Sequence, residues 1–424
     1  MASSSHDTAH HSMVSIPSAQ RGFGFRDHAA LWFSLGVGLL VMQVGAYLIP
    51  ALSPPQALAA VLLGSALGSG LLAWVAAIGC RHGLSSSALI ARSLGLRFAL
   101  LPVGLNVVQL LGWTAFELVV MRDGTTAIAH QLFGTDAAWL PRVATLAWGA
   151  LLIALASASM VGMARRFISR LGLPLVVASL CWLTYQFATR LHTQGVEGWW
   201  SQAGDGSMGL MAALDLVIAM PVSWLPLVAD YSRYGVSASG ALRGTWLGYT
   251  LANVWCYALG ILIISTMPPG ADLVATLLLA QGGLLALGLI LIDETDNAYG
   301  DVHSGAVSFS FLAKRGSIRS AGMVLAALAT GCALVLPMHS LEPFLLMLSS
   351  IFVPLFGVVI SQLAFGLPPE RALRWGPALV WLLGIACFHV GAVLWPTWGS
   401  ALPSLALTLL LGAVLRKTAG QAHG

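Results

Sequence analysis

Charge is scarce in this chain: Asp, Glu, Lys and Arg make up 8% of its 424 residues, against 58% hydrophobic residues. That shortage excludes a water-soluble globular domain, in which about a quarter of residues are charged. It also leaves no basic surface for nucleic acid. Cysteine is equally thin. Cys80, Cys181, Cys256, Cys332 and Cys387 stand singly, so no CxxC pair or metal cluster arises and each reads as a small buried apolar residue. The sequence has no Walker A loop of phosphate-cradling glycines and lysine, which argues against ATP-driven transport by this chain alone. No apolar signal core precedes residue 29. Residues 1–27, with Ser3, Ser4, Ser5, His6, His10 and His11, read instead as a disordered cytoplasmic tail. A flexible tail without further ligands makes a poor metal site.

What the chain has in abundance is apolar windows. A bilayer-spanning helix needs roughly 20 mostly apolar residues. Such windows recur near 28–52, 56–79, 98–121, 143–163, 171–190, 208–229, 243–266, 283–310, 320–338, 340–365, 375–395 and 398–415. The pattern predicts an all-α integral membrane protein of about 12 transmembrane helices. Lys and Arg gather in cytoplasmic loops, and they test this count. With the N-terminus inside, only Arg122, Arg142 and Arg190 of the 20 basic residues fall outside. One missed span would invert every later loop. The net charge of +4 therefore reports topology: a multi-pass protein of the cytoplasmic membrane with both termini inside, the last being a tail over 416–424.

Four of the 16 acidic residues fall in Asp293-Glu294-Thr295-Asp296-Asn297-Ala298-Tyr299-Gly300-Asp301. They interrupt an otherwise apolar stretch. On a helix, Asp293, Asp296, Asn297, Gly300, Asp301 and Ser304 share one face. Left in the cytoplasm, the cluster would sit in a loop of roughly thirty residues that contains Gly305 to Leu312, which reads poorly as loop. Gln281-Gly282-Gly283 breaks the preceding apolar run, and Asp272 to Ala280 reads as a short surface helix. The eighth span is thus placed at about Gly283 to Phe311, with Asp296 and Asn297 near the bilayer midplane. Within a membrane such a face must look at water, an ion, a ligand or a partner group.

Two other spans carry helix-breaking residues at corresponding places: Gly36-Val37-Gly38, Gln43, Gly45 and Pro50 in the first, and Asp215, Pro221, Ser223, Trp224 and Pro226 in the sixth. They lie five spans apart and cross in opposite directions, as inverted five-helix repeats require. Proline removes a backbone donor and clashes with the preceding turn, so a bent or unwound middle is expected in both. Asp215 either lines the pathway or caps the start of the kinked sixth helix. In the third span, Gln109, Trp113, Phe116 and Glu117 share a face. An aromatic ring beside a carboxylate and an amide suits a flat nitrogen heterocycle, the ring stacking on it and the carboxylate accepting from an exocyclic amine.

Gly112-Trp113-Thr114-Ala115-Phe116-Glu117-Leu118, Pro221-Val222-Ser223-Trp224-Leu225-Pro226-Leu227-Val228-Ala229-Asp230-Tyr231-Ser232-Arg233 and Asp296-Asn297-Ala298-Tyr299 resemble the nucleobase:cation symporter-1 family of cytosine, purine and allantoin permeases. The nearest branch is that of hydroxymethylpyrimidine transporters of thiamine salvage. The resemblance implies a LeuT-like fold of two inverted five-helix repeats, about 28–190 and 208–365, plus two extra helices at about 375–415. It places substrate between spans one, three, six and eight, with Trp113 stacking on the base and Glu117 at its edge. Gln43, Gln109, Ser223, Trp224 and Asn297 complete the candidate substrate site. Gly36, Gly38, Asp296 and Asp301 are the candidate coupling residues. Relatives bind sodium between span-one carbonyls and span-eight hydroxyls; a sodium site here would lie near Gly36, Asp296 and Asn297. This chain carries Asp296-Asn297 where those hydroxyls stand, so a proton-exchanging carboxylate is the alternative.

The expected function is import of a small planar pyrimidine by cation symport, with hydroxymethylpyrimidine or a thiamine-related pyrimidine as cargo and Na+ or H+ as coupling ion. A cytosine, purine or allantoin permease is the alternative within the family. No enzymatic cofactor is implied, and a monomer in the lipid bilayer is the expected working unit. Tyr299-Gly300-Asp301 suits an intramembrane aspartyl protease only if a second aspartate faces it, and the glycine-rich remainder of that signature is missing. Acidic residues also line cation channels, but aromatic and amide groups beside the acids fit a discrete ligand better.

Overall fold

The structure, a computed structural model, describes residues 13–157, 172–268, 273–278, 280–313, 317–336 and 341–421. Arg165, Arg166, Arg170, Lys314 and Arg315 of the topology count, residues 1–12 of the tail, the end of span four and Asp272 of the surface helix lie outside them. Among the described residues the chain is helical, and its only β pairing is a bridge between Phe23 and Gly235. Span one is two helices, α1 (Phe25–Ser34) and α2 (Leu39–Tyr47), followed by α3 (Pro54–His82) as span two. A short helix, α4 (Ser86–Leu94), leads to α5 (Leu100–Phe133), α6 (Leu140–Ser157) and α7 (Leu173–Gln194). After α8 (Val196–Trp200), span six is divided into α9 (Leu210–Ser223) and α10 (Leu225–Ser232). Then come α11 (Ala238–Ser265), the short α12 (Leu273–Leu278), α13 (Gly283–Ala313), α14 (Ile318–Val335), α15 (Leu341–Leu363), α16 (Trp375–Leu394) and α17 (Ala401–Gln421).

Counting α9 and α10 together as one, nine helices among the described residues are long and apolar enough to cross a membrane, or ten with the bent α1–α2 pair. The remaining two of the twelve are α7 and α13. Both have the length, 22 and 31 residues, or about 33 and 46 Å at 1.5 Å per residue. Each falls short in apolarity for a visible reason: Gln186 and Arg190 in α7, the acidic run in α13. That run is thus inside one continuous helix and not in a loop.

Local chemistry sets the helix ends. Ser53 and Gln56 form a capping box ahead of Pro54, and Gly83 closes α3 in the left-handed conformation at φ 66°. The two broken spans differ. In span one, four residues separate helices inclined by 64°. In span six the interruption is Trp224 alone, whose amide bonds back to the Pro221 carbonyl at 3.3 Å.

Glycine brings α11 against span one. A Cβ on Gly244 would press on the Phe25 carbonyl, on Gly248 the Ala29 carbonyl, and on Gly260 the Met42 carbonyl. Lipid tails are as apolar as leucine, so such close contact, more than hydrophobic drive, is what binds membrane helices to each other. The last two helices pack on α15 and on each other. Asp215 neither lines the cavity described below nor caps its own helix. Its carboxylate accepts from the amides of Ser400 (2.5 Å) and Ala401 (3.1 Å), capping α17 and joining it to α9.

Candidate functional site

The break in span one leaves backbone groups without helical partners. Gly38 is extended (φ 176°, ψ 156°), and Leu39, the first residue of α2, has an amide that α1 cannot satisfy. Two side chains of α13 fill this place. Glu294 Oε1 accepts from the Leu39 amide at 2.5 Å. Asn297 Nδ2 donates to the Val37 carbonyl at 3.1 Å and to Glu294 Oε2 at 3.3 Å. The amide end of α2 carries partial positive charge and the carbonyl end of α1 partial negative. A carboxylate at the first and an amide donor at the second match both.

Beside this junction lies a cavity of about 30 Å³, lined by Leu35, Gly38, Leu40 and Val41 of span one, Trp113 and Glu117 of α5, Met220, Ser223 and Trp224 of span six, and Glu294, Asn297 and Asp301 of α13. That volume holds a few waters at most, so a heterocycle enters only as the side chains part. Its aromatic walls are supported from behind. Trp224 meets Trp32 edge-on at 5.9 Å between ring centres, and Trp113 meets Phe344 of α15 at 5.2 Å. Polar capacity is left over as well. Trp113 Nε1 and Glu117 Oε2 are buried without a hydrogen-bond partner, in residues 6% and 3% exposed. Buried polar groups are ordinarily paired, which makes these two the natural contacts for a ligand.

Of the sequence-predicted site residues, Gly38, Trp113, Glu117, Ser223, Trp224, Asn297 and Asp301 converge on this cavity, and the others stand elsewhere. Gln109 reaches the Ser223 carbonyl (3.1 Å) and Asn106 (2.9 Å), bracing α5 on span six behind the site. Gln43 bonds Tyr47 Oη at 2.7 Å. Gly36 packs on Ala252 and Tyr249 of α11. Asp296 is half-buried on the side of α13 that holds Asp293, whose carboxylate accepts from Ser34 Oγ at 3.2 Å. Gly36, Asp296 and Asn297 therefore do not surround one point. Among the described residues no group of three or more His, Cys, Asp or Glu side chains is placed to hold a metal ion.

Glu294 is the residue that sequence reasoning passed over. Its signal was present: Glu294, Asn297 and Asp301 follow i, i+3, i+7 spacing, a stripe that retains Asn297 and Asp301 from the Asp293 face and adds Glu294, about 100° round the helix from Asp293.

Comparison with known proteins supplies the family. No curated protein sequence matches the chain. Among solved structures it is similar to Mhp1, a nucleobase-cation-symport-1 family transporter, in a closed conformation with bromovinylhydantoin bound: 17% identity, TM-score 0.79, covering 97% of this chain and 96% of that one. It is also similar to inward-facing Mhp1 (17%, TM-score 0.77, 97% and 94%) and to a Na+-coupled sialic acid symporter in a substrate-bound outward-open state (12%, TM-score 0.67, 95% and 91%). These likenesses show the fold, a LeuT-like bundle. A sequence family described as permease for cytosine/purines, uracil, thiamine, allantoin matches residues 15–366. With most of its length matched, the chain belongs to this family of membrane permeases and is a transporter, not an enzyme.

Proposed function

We propose that the protein imports a small planar pyrimidine, hydroxymethylpyrimidine or a thiamine-related pyrimidine, by cation symport across the cytoplasmic membrane, as a monomer with both termini inside. The observation that carries this reading is the meeting of Trp113 and Glu117 with the span-one break in a single buried cavity. Trp113 offers a stacking face and the free Glu117 oxygen an acceptor for an exocyclic amine. Other nucleobases of the family remain the alternative cargo.

Coupling is assigned to the junction of α13 with span one. Glu294 holds the first amide of α2 and Asn297 the last free carbonyl before it. A carboxylate there favours a proton as the coupling ion, while the similarity to a Na+-coupled symporter supports sodium. Either ion would act on the same two helix ends, and their rearrangement would accompany rocking of one helix bundle against the other. The test is uptake of radiolabelled hydroxymethylpyrimidine into proteoliposomes under an imposed Na+ or pH gradient, with cytosine, uracil, allantoin and thiamine as competitors. Accumulation above equilibrium under one gradient is expected. Downhill equilibration under both would overturn symport, and competition by cytosine alone would move the cargo to the alternative.

A further inference from the structure

The cavity is lined by Glu117, Glu294 and Asp301 and by no lysine, arginine or histidine. Buried negative charge is costly unless hydrogen-bond donors or positive charge answer it. Glu294 is answered within the protein, by the Leu39 amide and by Asn297. Glu117 is not: Oε2 has no partner, and the charged groups that act on it, Asp301 and Glu294, are themselves acidic. Tyr249 of α11 lies near Asp301, but a phenol brings a donor without a charge. The indoles of Trp113 and Trp224 line the same space, and an indole face attracts cations.

Taking this cavity as the substrate site, as the function proposed above does, we propose that its ligand is held as a cation: a planar aminoheterocycle protonated on the ring nitrogen beside its amino group, or a permanently charged ring. An amino group next to a protonated ring nitrogen presents two parallel N–H donors, the geometry that the two oxygens of a carboxylate accept. Glu117 takes this edge, Asp301 is the second countercharge, and the tryptophans cover the faces. A ring of the same shape with a carbonyl in place of the amine turns an acceptor toward a carboxylate, which opposes binding.

The test uses purified full-length protein and competition against bound radiolabelled hydroxymethylpyrimidine near pH 6. The matched competitors are 2-aminopyridine, largely protonated at that pH on the ring nitrogen beside its amino group, and 2-pyridone, its uncharged counterpart of equal size. The cation is expected to compete at roughly tenfold lower concentration or better. Glu117→Gln should abolish that preference while Glu117→Asp keeps part of it. Equal or better competition by the pyridone in the wild-type protein overturns the inference without recourse to any variant, as does a preference unchanged in Glu117→Gln. If hydroxymethylpyrimidine binds and the cation holds no advantage, this inference falls and the site stands. If no heterocycle binds at all, both fall.

Discussion

On the function proposed above, Trp113 serves the ligand and Glu294 the ion, and substitution should separate them. Trp113→Ala removes a stacking face worth about 1–3 kcal/mol per base, so the dissociation constant for pyrimidine should rise roughly tenfold or more. An unchanged constant would remove Trp113 from the site. Glu294→Gln keeps the acceptor for the Leu39 amide and deletes the charge. Exchange of labelled for unlabelled pyrimidine across proteoliposomes should therefore persist while gradient-driven accumulation is lost. Asp296→Asn, on the Asp293 side of the helix, should leave substrate affinity within about twofold, since the residue does not reach the cavity. The contrast also shows what residue spacing could and could not reveal. An acidic helix face was legible, and so were Trp113 and Glu117, because helical periodicity is local. Whether Asp293 or Glu294, about 100° apart on the helix, joins Asn297 at the cavity depends on neighbours hundreds of positions away, such as Val37 and Leu39 against Asn297 and Glu294.

Whole helices followed from the sequence more completely than their joints did. Gly36-Val37-Gly38 marked a true gap between α1 and α2, and the acidic run did not prevent α13 from forming. Pro221 and Pro226 marked the break in span six, though not that it would be confined to Trp224, and nothing marked the cap that Asp215 places on a helix 186 positions later at Ala401. Packing between helices is open to direct test. Gly260→Leu would drive a side chain into the Met42 carbonyl, and overpacking of this kind costs about 1–3 kcal/mol. A lower thermal midpoint in detergent is expected, together with loss of transport. A wild-type midpoint would mean that α11 and α2 do not meet there in the membrane.

At the level of the whole molecule, the arginine pattern and the helix order make one statement about orientation. With both termini inside, as proposed above, Ser207, between α8 and α9, falls outside and Ser239, near the start of α11, inside; both are exposed. In a variant stripped of its native cysteines, Ser207→Cys should react with an impermeant maleimide added to intact cells, while Ser239→Cys should react only after permeabilisation. The reverse pattern would mean that the chain is inserted upside down. The carboxylate of Asp215 adds a consequence for watching the protein at work. Because it grips the first amides of α17, any swing of α9 during turnover drags along a helix that contributes nothing to the cavity lining. A dye on Leu410, 69% exposed, would then serve as a remote reporter of the transport cycle without disturbing the chemistry it reports.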